Sequence, residues 1–173
     1  MPCKASMIAP VLFVLACSST GASSDADARS ADREVSAATG VDSGANSGLA
    51  DVVSVQVDGA SGDYRLRVTV RSPDTGCERY ADWWEVVGED GELSYRRILA
   101  HSHAGEQPFT RSGGPVEAAN GTTVWIRAHM SDAGYGGQAM TGALPGPFEV
   151  ATPPLGFAAS LETSPPLPEG CAF

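Results

Sequence analysis

The chain has 173 residues, of which 21 are acidic and 11 are basic, and its formal net charge is −10 at pH 7. Phosphate binding needs a positively charged footprint, so this balance argues against a nucleic-acid partner. The length allows one domain together with accessory segments.

The first 16 residues have the composition of an export signal. Lys4 supplies a positive charge, and an uncharged, largely apolar stretch follows from Ala5 to Ala16. This stretch is too short to span a bilayer as a helix, which needs about 20 residues, and it fits the apolar region of a secretory signal peptide. We therefore expect residues 1–16 to be removed on export.

The segment ends in Val14-Leu15-Ala16-Cys17, which resembles the bacterial lipobox, although Leu15 is less usual at its place than alanine or serine. The resemblance implies that Cys17 is acylated, with chains such as palmitate, and anchors the protein in the membrane. The alternative is an ordinary secretory signal cut nearby. Because Ser18 rather than an aspartate follows the cysteine, the lipobox pattern implies the outer membrane, with the domain facing the periplasm or the exterior.

The next segment, residues 18–50, consists mostly of serine, alanine, aspartate and glycine. Such a composition buries too little apolar surface to offset the entropy of the chain. We therefore expect residues 17–50, beginning with the lipidated cysteine, to form a disordered tether.

From Asp51 onward, apolar and polar residues alternate with the period of a β-strand. The clearest case is residues 63–71, and turn signals occur at Asp90-Gly91 and Asn120-Gly121. The stretch 104–121 is expected to be a long loop, and no segment has the period of a helix. The predicted strands are 51–58, 63–71, 80–88, 92–101, 122–130, 137–144 and 148–152.

About seven short strands separated by turns predict an all-β fold, an antiparallel β-sandwich over residues 51–152. The layout resembles immunoglobulin-like and fibronectin type III modules, in which a tryptophan of the third strand packs in the core. We expect Trp83 or Trp84 to take that place and the other to face water. A proline-rich tail, residues 153–173, follows the sandwich.

The stretches SPDTGCERYADWWEV, DGELSYRRILAHSH and EQPFTRSGGPV, with RAHM, GYGG and the terminal CAF, resemble a group of small exported bacterial lipoproteins to which no activity is attached. The resemblance covers most of residues 51–173.

Two cysteines remain once Cys3 is removed with the signal and Cys17 is lipidated. An exported protein with two cysteines most simply forms one disulfide, so we expect Cys77 to bond to Cys171 and tie the tail back.

Three histidines are candidate metal ligands, because His101, His103 and His129 fall where predicted strands end at the same side of the sandwich. Neutral imidazole suits zinc or copper. The favoured interpretation is that these side chains are structural and bond to loop backbone.

The loops at that side, residues 72–77, 101–121 and 131–138, are termed the loop pole. Its predicted binding rim consists of Asp82, Glu78 and Arg111. Arg96 and Arg97 must point to opposite faces of their strand, so at least one should pair with an acid of a neighbouring strand.

The sequence contains no motif for nucleophilic, phosphate-loop, dinucleotide or zinc-protease chemistry. It therefore predicts a non-enzymatic cell-envelope lipoprotein that serves as a binding or structural module. Its expected partners are the membrane, through the lipid, and a protein or glycan at the loop pole. It needs no cofactor, unless the histidines bind zinc or copper.

Overall fold

A computed structural model describes residues 48–172. The described residues form eight strands and one short 3₁₀ helix, Ala159–Thr163. The strands are β1 (Asp51–Ala60), β2 (Asp63–Arg71), β3 (Ala81–Gly88), β4 (Leu93–Ile98), β5 (Phe109–Val116), β6 (Thr123–Met130), β7 (Ala139–Ala143) and β8 (Glu149–Ala151). The predicted signal segment, Cys17 and most of the predicted tether lie outside the described residues.

Two antiparallel sheets face each other. One has the order β1-β2-β5 and the other β4-β3-β6-β7-β8. The alternation of β2 buries Leu66, Val68 and Val70 against the second sheet and leaves Arg65, Arg67 and Arg71 exposed. The predicted all-β sandwich is thus confirmed.

Strand β3 is buried on both faces, from Ala81 to Val87. Trp84 and Val86 belong to the core between the sheets. Trp83 lies on the opposite face, where water was expected, yet it is only 2% exposed. The expectation of one wet tryptophan is therefore wrong, because the Trp83 ring packs against His129, Tyr135 and Arg96 on this outer face.

Strand β5 lies inside the stretch 104–121 that was predicted to be a loop, so that prediction is wrong. Its two glycines and one proline are residues that strands usually lack. Gly113 is nevertheless suited to its place, because an added Cβ would lie 2.6 Å from Tyr95 and 2.8 Å from Trp84. The absence of a side chain lets the aromatic residues of the larger sheet approach β5.

The tail crosses the outer face of the larger sheet after β8 and ends in a disulfide. Cys171 bonds to Cys77, which confirms the predicted pairing. Next to it, the amide of Ala172 donates to the carbonyl of Ala100. Between residues 48 and 172, no helix has the length and apolar character needed to cross a membrane.

The disulfide closes a loop with a sequence separation of 94 residues. In the chain-entropy description, such a loop stabilises the folded state by about 4–5 kcal/mol. We expect Cys77→Ser, Cys171→Ser and the double variant to lose this same amount in urea unfolding, since each removes one shared bond. Two free thiols in the oxidised wild-type protein would contradict the pairing.

Candidate functional site

Three charged side chains lie together on the outer face of the larger sheet, beneath the tail. Glu85 of β3 stands directly opposite Arg96 of β4 and Arg127 of β6. The Nε atoms of Arg96 and Arg127 each donate to a different oxygen of Glu85, at 2.8 Å in both cases. These three residues, termed the charged triad, are buried. The expectation that one of the adjacent arginines pairs with a cross-strand acid is confirmed.

The remaining N–H groups of the two arginines bind the backbone of the tail. Arg96 donates to three carbonyl oxygens and Arg127 to two, at 2.6–2.9 Å. The acceptors are the carbonyls of Phe157, Ala158, Leu161, Ser164 and Pro166. Buried carbonyls need partners, and those of Ala158 and Leu161 also accept amides of the tail itself. The triad therefore satisfies the backbone of the tail and holds it on the sheet.

Aromatic rings surround the triad. Trp83 stacks on His129 with ring centroids 3.7 Å apart, and its Nε1 donates to the hydroxyl of Tyr135 at 3.2 Å. The guanidinium of Arg127 lies over the Tyr135 ring at 3.6 Å. Burial, reinforced by the negative charge of Glu85, raises the pKa of Tyr135. The tyrosine therefore stays protonated at neutral pH.

His129 lies between two carboxylates. Its Nδ1 is 2.7 Å from Asp82 Oδ1, and its Nε2 is 3.5 Å from Glu162 Oε1 on the tail. An irregularity in the β3–β6 register between Ala81 and Trp83 accompanies this pairing. Asp82 was predicted to lie on an open rim, but it is buried and its carboxylate is bonded to His129.

The other two predicted rim residues lie nearer to water. Glu78 is exposed. Arg111 is partly exposed and pairs with Glu106 at 2.8 Å. The hydrogen bond from Arg111, aided by its positive charge, lowers the pKa of the Glu106 carboxyl.

A cleft of about 420 Å³ opens beside the triad, between residues 133–137 of the β6–β7 loop and residues 152–162 of the tail. Arg127 forms part of its lining, with the rings of Tyr135 and Phe157 and the carboxylate of Glu162. Polar, aromatic and charged groups thus converge on one concave surface.

The loop pole is held together by the carboxylate of Asp74. It accepts the amide of Ala81 on one oxygen, at 2.9 Å, and that of His103 on the other, at 2.8 Å. The amide of Tyr80 donates to Ser131 Oγ, which joins the third loop. Since β5 occupies residues 109–116, the second loop of the pole is limited to the segments that flank this strand.

His103 is buried at the pole without a hydrogen bond to its ring. The imidazole stacks on Phe109, with centroids 3.8 Å apart, and neither ring nitrogen has a partner in the described part of the chain. Asp74 Oδ2 is 4.0 Å from Nδ1, and the ring of His101 lies 4.5 Å away. Burial, followed by the nearby positive charge of Arg111, lowers the pKa of His103.

The three candidate metal ligands are divided between two environments. His101 and His103 contact each other near Phe109, whereas His129 lies on the outer face against Trp83. Among residues 48–172, no group of three or more histidine, cysteine, aspartate or glutamate side chains is placed to hold a metal ion. Binding of zinc or copper by these histidines stays a prediction.

One curated protein resembles part of the chain. A protein of Halomicrobium mukohataei named "Putative lipoprotein" is 44% identical over 93 residues, which is 53% of this chain and 45% of that protein. The chain thus matches less than half of the relative's length. No family of known proteins matches the chain, and no solved structure matches it.

Removing one arginine from the triad should destabilise the fold strongly. We expect Arg96→Met to lower the free energy of unfolding by about 3–5 kcal/mol, because it leaves one oxygen of the buried Glu85 and the tail carbonyls of Ser164 and Pro166 without their arginine partner. Its exposed neighbour offers a matched control, since Arg97→Met should change stability by no more than about 0.5 kcal/mol. Equal effects in urea unfolding would show that the triad is not buried.

The lowered pKa of His103 predicts a pH dependence. Below about pH 6.5 the unfolded chain binds a proton at this histidine that the folded chain binds only at lower pH, so stability falls as the pH drops through this window. His103→Phe keeps the ring stack and should make the fall shallower. Replacing the exposed His101 by Gln removes a smaller contribution to the lowered pKa of His103, so it should change the slope less than His103→Phe does. Urea unfolding between pH 7.5 and about 5 measures both.

Proposed function

We propose that the chain is a non-enzymatic lipoprotein of the cell envelope that serves as a binding or structural module. The observation that carries this proposal is that the buried ionisable side chains are used to hold the fold together. Asp82, Glu85, Arg96, Arg127 and His129 are buried and bonded to one another or to the tail. Groups that stabilise the fold in this way are not available to a substrate.

Three findings support the assignment to the envelope. The partial relative is named as a lipoprotein. Val14-Leu15-Ala16-Cys17 follows an apolar segment. The Cys77–Cys171 disulfide is typical of oxidising compartments. Together they favour a protein anchored by lipid on Cys17, in the outer membrane by the lipobox pattern, with the sandwich facing the periplasm or the exterior.

The strand order supports a sandwich of the immunoglobulin-like or fibronectin type III-like kind. If β1, β2 and β5 take the positions A, B and E, the order β4-β3-β6-β7 corresponds to C′-C-F-G. Such modules bind their partners through loops at one end of the sandwich. The corresponding end here is the loop pole, and the partner class we infer is a protein or glycan.

Metal binding at the histidines is a second candidate. Its supporting observation is the buried His103 ring, whose nitrogens lack partners, next to the exposed His101. Calorimetric titration of the tag-free protein with zinc and copper(II) separates this candidate from the first, since a structural histidine binds no stoichiometric metal.

The lipid anchor is tested on Cys17. We expect the mature wild-type protein to begin at an acylated Cys17 and to enter the detergent phase, whereas Cys17→Ser should stay in the aqueous phase, because two or more acyl chains are needed for stable anchoring. Intact mass and detergent partitioning measure this. The conservative substitution Ser18→Thr, which leaves Cys17 in place, serves as the control and should partition as wild type. A mature chain that begins elsewhere would overturn the proposal.

A further inference from the structure

The turn between β5 and β6 contains a motif with a chemical meaning of its own. Asn120-Gly121-Thr122 has the pattern Asn-X-Ser/Thr, the acceptor motif for N-glycosylation in exported proteins. The chain has one other asparagine, Asn46, and a glycine rather than serine or threonine stands two residues after it. The sequence therefore singles out Asn120 as the candidate acceptor.

The motif forms an exposed turn directly before β6. The amide of Thr122 donates to the carbonyl of Ala119 at 3.2 Å, and Gly121 has a φ of +83°, as the third residue of a type II turn requires. Asn120 and Gly121 are both exposed. The acceptor side chain thus lies where an enzyme can reach it.

The side chain of Asn120 is held by its oxygen and not by its nitrogen. The hydroxyl of Tyr64 donates to Oδ1 at 3.4 Å. Within residues 48–172, neither Nδ2 of Asn120 nor the hydroxyl of Thr122 has a hydrogen-bond partner. Nδ2 is the atom that receives a sugar, and the hydroxyl completes the acceptor motif. Both groups are therefore available to a glycosylating enzyme in the folded chain.

The surroundings of the turn have room for a bulky group. A Cβ added at Gly121 would have no atom beyond the neighbouring residues within 4 Å. An open depression of about 420 Å³ lies beside it, lined by residues 88–90 and 121–123. Sugar hydroxyls can donate to the exposed carboxylates of Glu89 and Asp90 there. The first sugar of a glycan thus has space and hydrogen-bond acceptors next to its attachment point.

The turn lies at the opposite end of the sandwich from His103. Strand β5 runs along the smaller sheet from Phe109, which stacks on that histidine, to Val116 beside the β1–β2 turn. The amide of Asn120 donates to Ser61 Oγ in that same turn, at 3.1 Å. A glycan here would leave the loops around His103 uncovered.

We propose that Asn120 is N-glycosylated after export, with a lipid-linked oligosaccharide phosphate as the donor. A bond forms between Nδ2 and the anomeric carbon of the first sugar, and the bond from that carbon to the phosphate oxygen breaks. The departing lipid phosphate keeps the electron pair, and Nδ2 gives up one proton, so nothing is oxidised or reduced. The proposal rests on the envelope assignment, because the acceptor motif is modified in exported chains.

The first test examines the mature protein isolated from the envelope of the organism that makes it. Trypsin cleaves after Arg111 and Arg127, so residues 112–127 form one peptide that contains the whole motif. We expect the mass of this peptide to exceed the unmodified value by that of a glycan, with fragment ions that place the glycan on Asn120. A peptide with the unmodified mass would overturn the proposal.

The second test uses variants made in the same organism. Asn120→Gln and Thr122→Ala should each abolish the added mass, because the first removes the acceptor nitrogen and the second removes the hydroxyl of the motif. Thr122→Ser keeps the motif and should keep the added mass. Asn46→Gln, at the asparagine without a motif, is the matched control and should also keep it. Retention of the added mass by Asn120→Gln or Thr122→Ala would contradict the assignment.

The outcomes separate this proposal from the one on which it rests. Acylation of Cys17 in a protein with an unmodified peptide 112–127 would remove the glycan and leave the lipoprotein assignment. A glycan on Asn120 in a chain that is not acylated would support the modification and remove the lipid anchor.

Discussion

The bridging of two arginines by the carboxylate of Glu85 is the interaction on which the outer half of the structure depends. Arg96 and Arg127 occupy the strands on either side of β3, roughly 9.6 Å apart in backbone spacing. Two guanidinium groups buried so close to each other require a negative charge between them. Once Glu85 fixes their orientation, their outer N–H groups donate to the tail carbonyls, and Glu162 of the tail in turn contacts His129.

The parts of the fold that the sequence predicted are those governed by local periodicity, by turn residues and by the number of cysteines available for a disulfide. The alternation of residues 63–71 identified β2, Asp90-Gly91 identified the β3–β4 turn, and the count of cysteines left one pairing. Strand β5 was missed because its Gly113 serves a contact made across the sandwich. The need for an empty position opposite Trp84 and Tyr95 is a property of the packed sheets and leaves no periodic pattern.

The candidate site was predictable only in part, because the cover over the outer face is also a tertiary contact. The sequence indicated that an arginine at 96 or 97 would pair with an acid, but it did not indicate that the outer face would be covered. The apolar run around Glu85 was the available sign, since a strand with both faces buried lacks alternation. What covers the face could not be inferred, because the tail is bound through its carbonyls, and every residue type carries a carbonyl.

Recognition through backbone carbonyls also affects how the tail can evolve. Of residues 153–172, only Leu161 has a side chain that is buried; apart from the Cys171 disulfide and the contacts of Phe157 and Glu162, the segment is held through carbonyl oxygens that every amino acid has. Most substitutions there would leave the attachment to the two guanidinium groups intact. The outward side of the segment can therefore drift in composition, and acquire or lose surface chemistry, at little cost to folding. The sheet beneath it has no such freedom.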